Sequence, residues 1–186
     1  SQTVKKGLYE IEKIFFLKEK LNVDKKEHIF ISGLPRSGTT ILLNYLYRTG
    51  LFASLIYRDM PFVMAPNIFS KINNSKNLEK KERFHKDGIF VNLESPEALD
   101  EIFFSSFNQN EIEHEIVNYV SLVLKKNKKN RYLSKNNLNF KRINLLEKKF
   151  TNAFFIIPFR DPLQHSNSLL NQHLNFLKLQ HKDKFF

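Results

Sequence analysis

An α/β fold, with helices on both faces of a parallel sheet in three layers, is predicted by three features of the sequence. Short apolar runs of strand length alternate with segments of helical periodicity, the pattern of strands joined by helical crossovers. The first run, His28-Ile-Phe-Ile-Ser32, ends at Gly33 and passes within a few residues into a helix, giving strand, glycine-bounded loop and helix in succession. Basic residues also follow the successive strands: Arg36 the first, Lys135 the second and Arg160 the third. Ligands of parallel sheets sit at the carboxyl ends of the strands, where these three residues would gather.

Residues 3–20 read as an amphipathic helix with Val4, Leu8, Ile11 and Phe15 on its inner side. After a polar break at 22–26 comes the first strand, and Ser37–Tyr47 carries helical character, with Ile41, Leu42, Tyr45 and Leu46 apolar. Residues 51–70 are mostly apolar, but Tyr57-Arg58-Asp59, Pro61 and Pro66 interrupt them, which predicts an extended segment and then a short helix. The charged, Asn-rich stretch 71–87 reads as a flexible insertion. Gly88–Leu93 has strand composition. Ser95-Pro-Glu then resembles a capped helix start, with Glu94 and Glu97 belonging to the cap. A helix over 110–126 leads to a strand at Arg131–Ser134, and residues 138–149 are helical with Ile143, Leu146 and Phe150 on one face. Ala153–Ile157 is the strongest strand, and Asp161-Pro162 opens the final helix with Asp as N-cap and Pro at its first position. With no repeat and no composition break, residues 1–186 read as one domain.

Hydrophobic residues make up 41% of the 186, enough for a buried core. The absence of Cys excludes disulfides and thiolate metal sites and favours a reducing, cytoplasmic location. No stretch approaches the ~20 apolar residues of a membrane span, and Ile14–Leu17 is too short for a signal-peptide core. The formal net charge of +11 suits a polyanionic partner or a basic solubilising shell. Its spread over 71–86, 125–131 and 135–149 fits a nucleotide or acidic substrate better than a nucleic-acid groove, and no recognition helix, finger or RNP pattern is visible.

A loop between strand and helix aims backbone N–H groups at an anion, reinforced by the helix dipole. In Gly33-Leu-Pro-Arg-Ser-Gly-Thr-Thr40 the two glycines let the chain curl closely, while Ser37, Thr39 and Thr40 supply hydroxyls. The spacing is that of a Walker loop, which makes the expected sheet P-loop-type, but Thr39 stands where phosphotransferases carry Lys. Arg36 is the replacement cation, able to grip an oxyanion with two donors.

Pro35-Arg-Ser-Gly-Thr-Thr40 after an apolar strand resembles the 5′-phosphosulfate loop of sulfotransferases that use 3′-phosphoadenosine-5′-phosphosulfate (PAPS). A second stretch, Phe154-Phe-Ile-Ile-Pro-Phe-Arg160-Asp-Pro162 followed by Ser168, resembles that family's 3′-phosphate site. Ser168 lies ~10 Å into its helix, so it need not share a phosphate with the first loop. Two separate phosphate sites suit a 3′,5′-bisphosphorylated adenosine. Lys135, in Tyr132-Leu-Ser-Lys-Asn136, resembles the Lys of the bacterial, tyrosylprotein and carbohydrate branch, and the resemblance implies contact with the bridging oxygen of the leaving phosphate.

The family's general base is Glu or His some way beyond the loop. Asp59 lies in that window and is the first candidate, with His85 the alternative. The resemblance thus implies PAPS as co-substrate, no metal, and an acceptor hydroxyl or amine whose pocket is shaped by Tyr57–Pro66 and 84–101. Family members also continue into a C-terminal segment that closes over the adenosine, so the chain is expected to be incomplete there. His165 and His173 are eight residues apart and His114 has no partner four residues away, so neither makes a metal motif. Two other classes stay open: a P-loop phosphotransferase that lacks the Walker Lys, and a basic binding module without catalysis.

Overall fold

Strand β1 (Ile29–Ile31) is buried along its whole length because all three side chains are apolar and alternate between two covered faces. In this computed structural model, which describes residues 1–18, 22–72, 79–83 and 88–182, β1 lies between β4 (Leu133–Lys135) and β5 (Phe154–Ile156). Both neighbours are parallel, with Ile31 opposite Lys135 on one side and Ile156 on the other. The extended chain at Ala53 continues the sheet beyond β4: its N–H donates to Arg131 O and its carbonyl accepts from Leu133 N–H, each at 2.8 Å.

Phe30 packs on one face of the sheet with Tyr132, Leu146 and Phe150, together with the buried side of α5 (Gln109–Asn127) and Tyr9 of α1 (Gln2–Phe16). Ile29 and Ile31 pack on the other face with Leu43 of α2 (Thr39–Arg48), Phe52 and Leu133. Helix, sheet and helix therefore form the three layers expected. α5 is the longest fully described crossover element. It starts on a reciprocal cap, Glu111 N–H donating to Asn108 Oδ1 at 3.0 Å and Asn108 N–H to Glu111 Oε2 at 2.8 Å. The shorter helices are α3 (Pro66–Ile72), α4 (Glu101–Ser106) and α6 (Ile143–Lys149), and α7 (Pro162–Lys182) follows β5. Asp161 caps α7 as expected, accepting from Gln164 N–H at 3.0 Å. Among the described residues, no helix is long and apolar enough to cross a membrane.

Several local expectations are corrected. α1 buries Tyr9 and Glu12, and leaves Val4, Ile11 and Phe15 exposed. Polar partners decide its rotation: Tyr9 donates to Glu115 Oε2 at 3.0 Å, and Glu12 accepts from the N–H groups of Asn67 and Ile68 at 2.6 and 3.0 Å, capping α3. No helix begins at Ser95. Instead, Tyr57 N–H donates to Ser95 O at 3.0 Å and Glu97 N–H to Leu55 O at 3.1 Å, so 95–97 runs antiparallel beside 55–57 and the helix waits until Glu101. Within 71–87, residues 73–78 and 84–87 lie outside the described residues. The described part includes β2 (Lys81–Glu82), which pairs antiparallel with β3 (Phe90–Val91), the described core of the strand expected at 88–93.

His28, at the entry to β1, is fully buried. One ring nitrogen, Nδ1, accepts from Tyr132 N–H at 2.8 Å, and Nε2–H donates to Val23 O at 2.8 Å. Burial is the main reason its pKa falls to about 4, with Arg131 and Lys26 adding to the depression against the pull of the Val23 carbonyl. A depressed histidine is neutral in the folded chain while the unfolded chain binds a proton below its ordinary value. Its contribution is therefore fully present above pH ~6.5 and is lost progressively down to the folded pKa, about 3 kcal/mol in all. Urea midpoints measured from pH 4 to 7 should show this slope in the wild type. The slope should be correspondingly shallower in His28→Asn, which keeps an acceptor for Tyr132 but does not titrate.

Candidate active site

The loop between β1 and α2 has little steric freedom. A Cβ on Gly33 would lie 3.0 Å from Ser37 Oγ, 3.0 Å from Thr39 Cγ2 and 3.2 Å from Pro158 O. Gly38 takes φ 96° at the start of α2, a conformation that residues with a side chain rarely adopt. Arg36 takes φ 70° without being glycine, a strain of ~1–3 kcal/mol that its surroundings must sustain. Ser37 closes the turn twice, its N–H and its hydroxyl donating to Leu34 O at 3.2 and 2.8 Å. The first-turn N–H groups of α2 face out of the helix end, where the helix dipole adds positive potential.

A cleft of about 370 Å³ lies over this loop. Its walls are the loop from Arg36 to Thr40, with Ile41, Arg83, Ile89 and Arg160. Arg160, just beyond β5, is exposed, and its Nε lies 3.3 Å from Gln164 Oε1. A second cavity of about 540 Å³ shares Ser37 and Arg160 and is otherwise largely apolar, with Leu34, Phe140, Ile157 and Phe159 on its walls. Helix α7 is fastened to the loop by two side chains: His165 Nε2 donates to Pro35 O at 2.7 Å, and Arg36 Nε donates to Ser168 Oγ at 3.1 Å. Ser168 therefore touches the cation of the first loop, and the two expected phosphate sites adjoin. Distance along α7 alone suggested otherwise, but the helix lies beside the loop.

Lys135 stands at the same carboxyl edge, opposite Ile31. It is flanked by Ser134 and Asn136, both hydrogen-bonded to the buried Asp100, Asn136 at 3.1 Å. The Lys135 Nζ lies 3.6 Å from Glu97 Oε1. Glu97 also accepts from Tyr57 OH and from Ala98 N–H, each at 2.8 Å. Burial pushes the Glu97 carboxyl up, but Lys135, the Ala98 N–H, the Tyr57 hydroxyl and Arg83 together hold it below the usual carboxylate range. Sequence reasoning gave Glu97 to a helix cap. It missed the long-range pairing of 95–97 with 55–57, which no local pattern announces. Arg83 was missed as well, because it lies in the stretch read as an insertion.

The structure does not bring Asp59 to the cleft. Its side chain is 2% exposed, both its oxygens accept from Lys126 Nζ at 2.6 Å, and Oδ2 also accepts from Ile56 N–H at 3.0 Å. Both oxygens of this carboxylate are thus taken by structural partners. His85 lies outside the described residues.

A parallel sheet with a glycine-bounded anion loop at its carboxyl edge places the chain among the P-loop-type α/β proteins. Residues 28–184 match the family described as Sulfotransferase family, and the chain belongs to that family. Its fold is similar to that of sulfotransferase STF1 from Mycobacterium tuberculosis H37Rv (type1 crystal form), with a TM-score of 0.56 and 16% identity over 86% of this chain and 52% of that one. The chain thus spans about half the length of the structure it matches. No curated protein matches it in sequence.

Removing the Asp59 carboxylate orphans a buried ammonium. Asp59→Ala should therefore lose about 3 kcal/mol or more in urea unfolding. Asp59→Leu combined with Lys126→Met should recover most of the loss, because no buried charge is left unpaired.

Proposed function

We propose that the chain is the donor-binding part of a sulfotransferase that moves a sulfonate from PAPS to an acceptor hydroxyl or amine. The observation that carries this is a convergence. Arg36 and Arg160, from two stretches more than 120 residues apart, line one cleft with the loop hydroxyls, and Arg36 touches Ser168.

The loop N–H groups, Ser37, Thr39 and Thr40 hold the 5′-phosphosulfate together with Arg36. Arg160 and Ser168 hold the 3′-phosphate. Transfer is in line: the bond from sulfur to the acceptor oxygen or nitrogen forms as the bond from sulfur to the phosphate oxygen breaks. Lys135 meets the negative charge that builds on that departing oxygen. The acceptor's proton needs a carboxylate that is ionised, near Lys135 and not sealed into an ion pair, which makes Glu97 the base in place of Asp59. No metal is required, since guanidinium, ammonium and backbone donors carry the charge.

The test is a thermal-shift titration with 3′,5′-adenosine bisphosphate, ATP and 5′-AMP, on wild type and Arg160→Ala. At 100 times its dissociation constant a ligand adds about 2.7 kcal/mol, or roughly 5–11 °C for a chain of this size. A shift that depends on the 3′-phosphate and is lost in Arg160→Ala is expected. Stabilisation by ATP alone would instead favour a phosphotransferase. Salt-sensitive binding of any polyanion, with no preference for the 3′-phosphate, would favour a basic binding module.

Glu97→Gln should lower the rate of donor-dependent sulfonation about 10²- to 10⁴-fold. It should not weaken binding of the bisphosphate, because it removes a negative charge from beside two cations. Rapid-quench transfer from labelled donor, set beside calorimetric affinity, separates the two effects.

A further inference from the structure

Arg83 enters the cleft from an element that neither phosphate motif contains. It directly follows β2, and its N–H donates to Ile89 O at 3.0 Å, while Gly88 N–H donates to Glu82 Oε1 at 2.8 Å. This pairing sets Arg83 and Ile89 opposite one another, and both line the cleft. Arg83 is half-buried, and its Nη1 lies 3.4 Å from Thr40 Oγ1, a hydroxyl at the start of α2. The same guanidinium helps hold Glu97, the partner of Lys135, below the usual carboxylate range.

Three guanidiniums thus line one cleft, and Glu97, the carboxylate that feels Arg83, is not among its lining residues. Like charges brought together in this way are tolerated best when an anion of higher charge sits among them. Arg160 belongs to the β5 end of the cleft and Arg36 to the loop. Arg83 reaches the α2 start from outside the loop, its Nη1 3.4 Å from Thr40 Oγ1, beside the helix end whose N–H groups favour an anion.

We propose that Arg83 is a donor-binding residue that grips the oxyanion at the 5′ end of the nucleotide, with β2 and β3 forming the outer wall of the donor site. This rests on the donor assignment above and adds to it a third cationic arm, specific to one end of the ligand.

The experiment is calorimetric titration of 3′,5′-adenosine bisphosphate, 5′-AMP and 3′-AMP into wild type, Arg83→Ala, Arg83→Lys and Arg160→Ala. A charge-assisted contact of this kind is worth roughly 10- to 100-fold in affinity. Arg83→Ala should lose that factor for the bisphosphate and 5′-AMP and leave 3′-AMP unchanged. Arg83→Lys should recover part of it. Arg160→Ala should do the opposite, weakening the bisphosphate and 3′-AMP but sparing 5′-AMP. Equal affinity of wild type and Arg83→Ala for the bisphosphate would overturn the role of Arg83 while leaving the donor assignment standing. A uniform loss for all three nucleotides with a lowered melting temperature, repeated in Arg83→Lys, would also overturn it, by showing a structural part only. Wild type that does not prefer the bisphosphate would overturn the donor assignment, and Arg83's role with it.

Discussion

Gly33 sits where β1 must pass close to the end of β5. With Ser37 Oγ and Thr39 Cγ2 at 3.0 Å and Pro158 O at 3.2 Å from where a Cβ would be, a side chain there would be tight against all three neighbours. That closeness couples the loop carrying Arg36 to the stretch carrying Arg160. Pro158 is two residues from Arg160, and the helix that follows carries His165 to the Pro35 carbonyl and Ser168 to Arg36. A larger residue at 33 would press on the loop, through Ser37 and Thr39, and on the end of β5, through Pro158. The left-handed backbone of Arg36 is held by the same contacts, because its side chain is anchored at one end by α7 and its backbone at the other by the Ser37–Leu34 turn.

Charge at the carboxyl edge is organised by strand order. Since β4, β1 and β5 are parallel neighbours, their ends deliver Lys135, the loop with Arg36, and Arg160 side by side, and α2 adds the positive end of its dipole. Glu97 lies 3.6 Å from Lys135 at this edge. The net charge of +11 does not by itself locate a site. Many of the basic residues lie far from the cleft in peripheral pairs, such as Lys6 with Glu111 and Lys148 with Glu113, which contribute little.

What was legible in the sequence was local. Strand, loop and helix around Gly33–Thr40, and strand, Arg, Asp and Pro around Arg160, each follow from a few consecutive residues whose backbone preferences agree with their place in the fold. The sheet class followed from their alternation. What was not legible depended on pairing across long separations. Glu97 looked like part of a cap because Ser-Pro-Glu satisfies a helix start, but the 55–57 backbone offered hydrogen bonds that a lone helical turn could not match. The face of α1 was misread for a related reason. A hydrophobicity stripe counts apolar residues, whereas Tyr9 and Glu12 turned inward to satisfy Glu115 and the start of α3.

Asp59 and Glu97 illustrate how a carboxylate's surroundings decide what it can do. Both are shielded from water, both lie near a lysine, and either suits a general base by residue type. Asp59 spends both oxygens on one ammonium at 2.6 Å and shares Oδ2 with a backbone N–H. These bonds make the residue a clamp between the 57–62 turn and α5. Glu97 has a longer ion-pair distance, 3.6 Å, and accepts from one hydroxyl and one N–H donor. In the proposed transfer Lys135 would turn toward the departing phosphate oxygen and leave Glu97 with less of the field that lowers its pKa. Charge movement at the leaving group and proton uptake at the carboxylate would then be coupled through one ammonium, whereas Asp59 and Lys126 are held together at 2.6 Å.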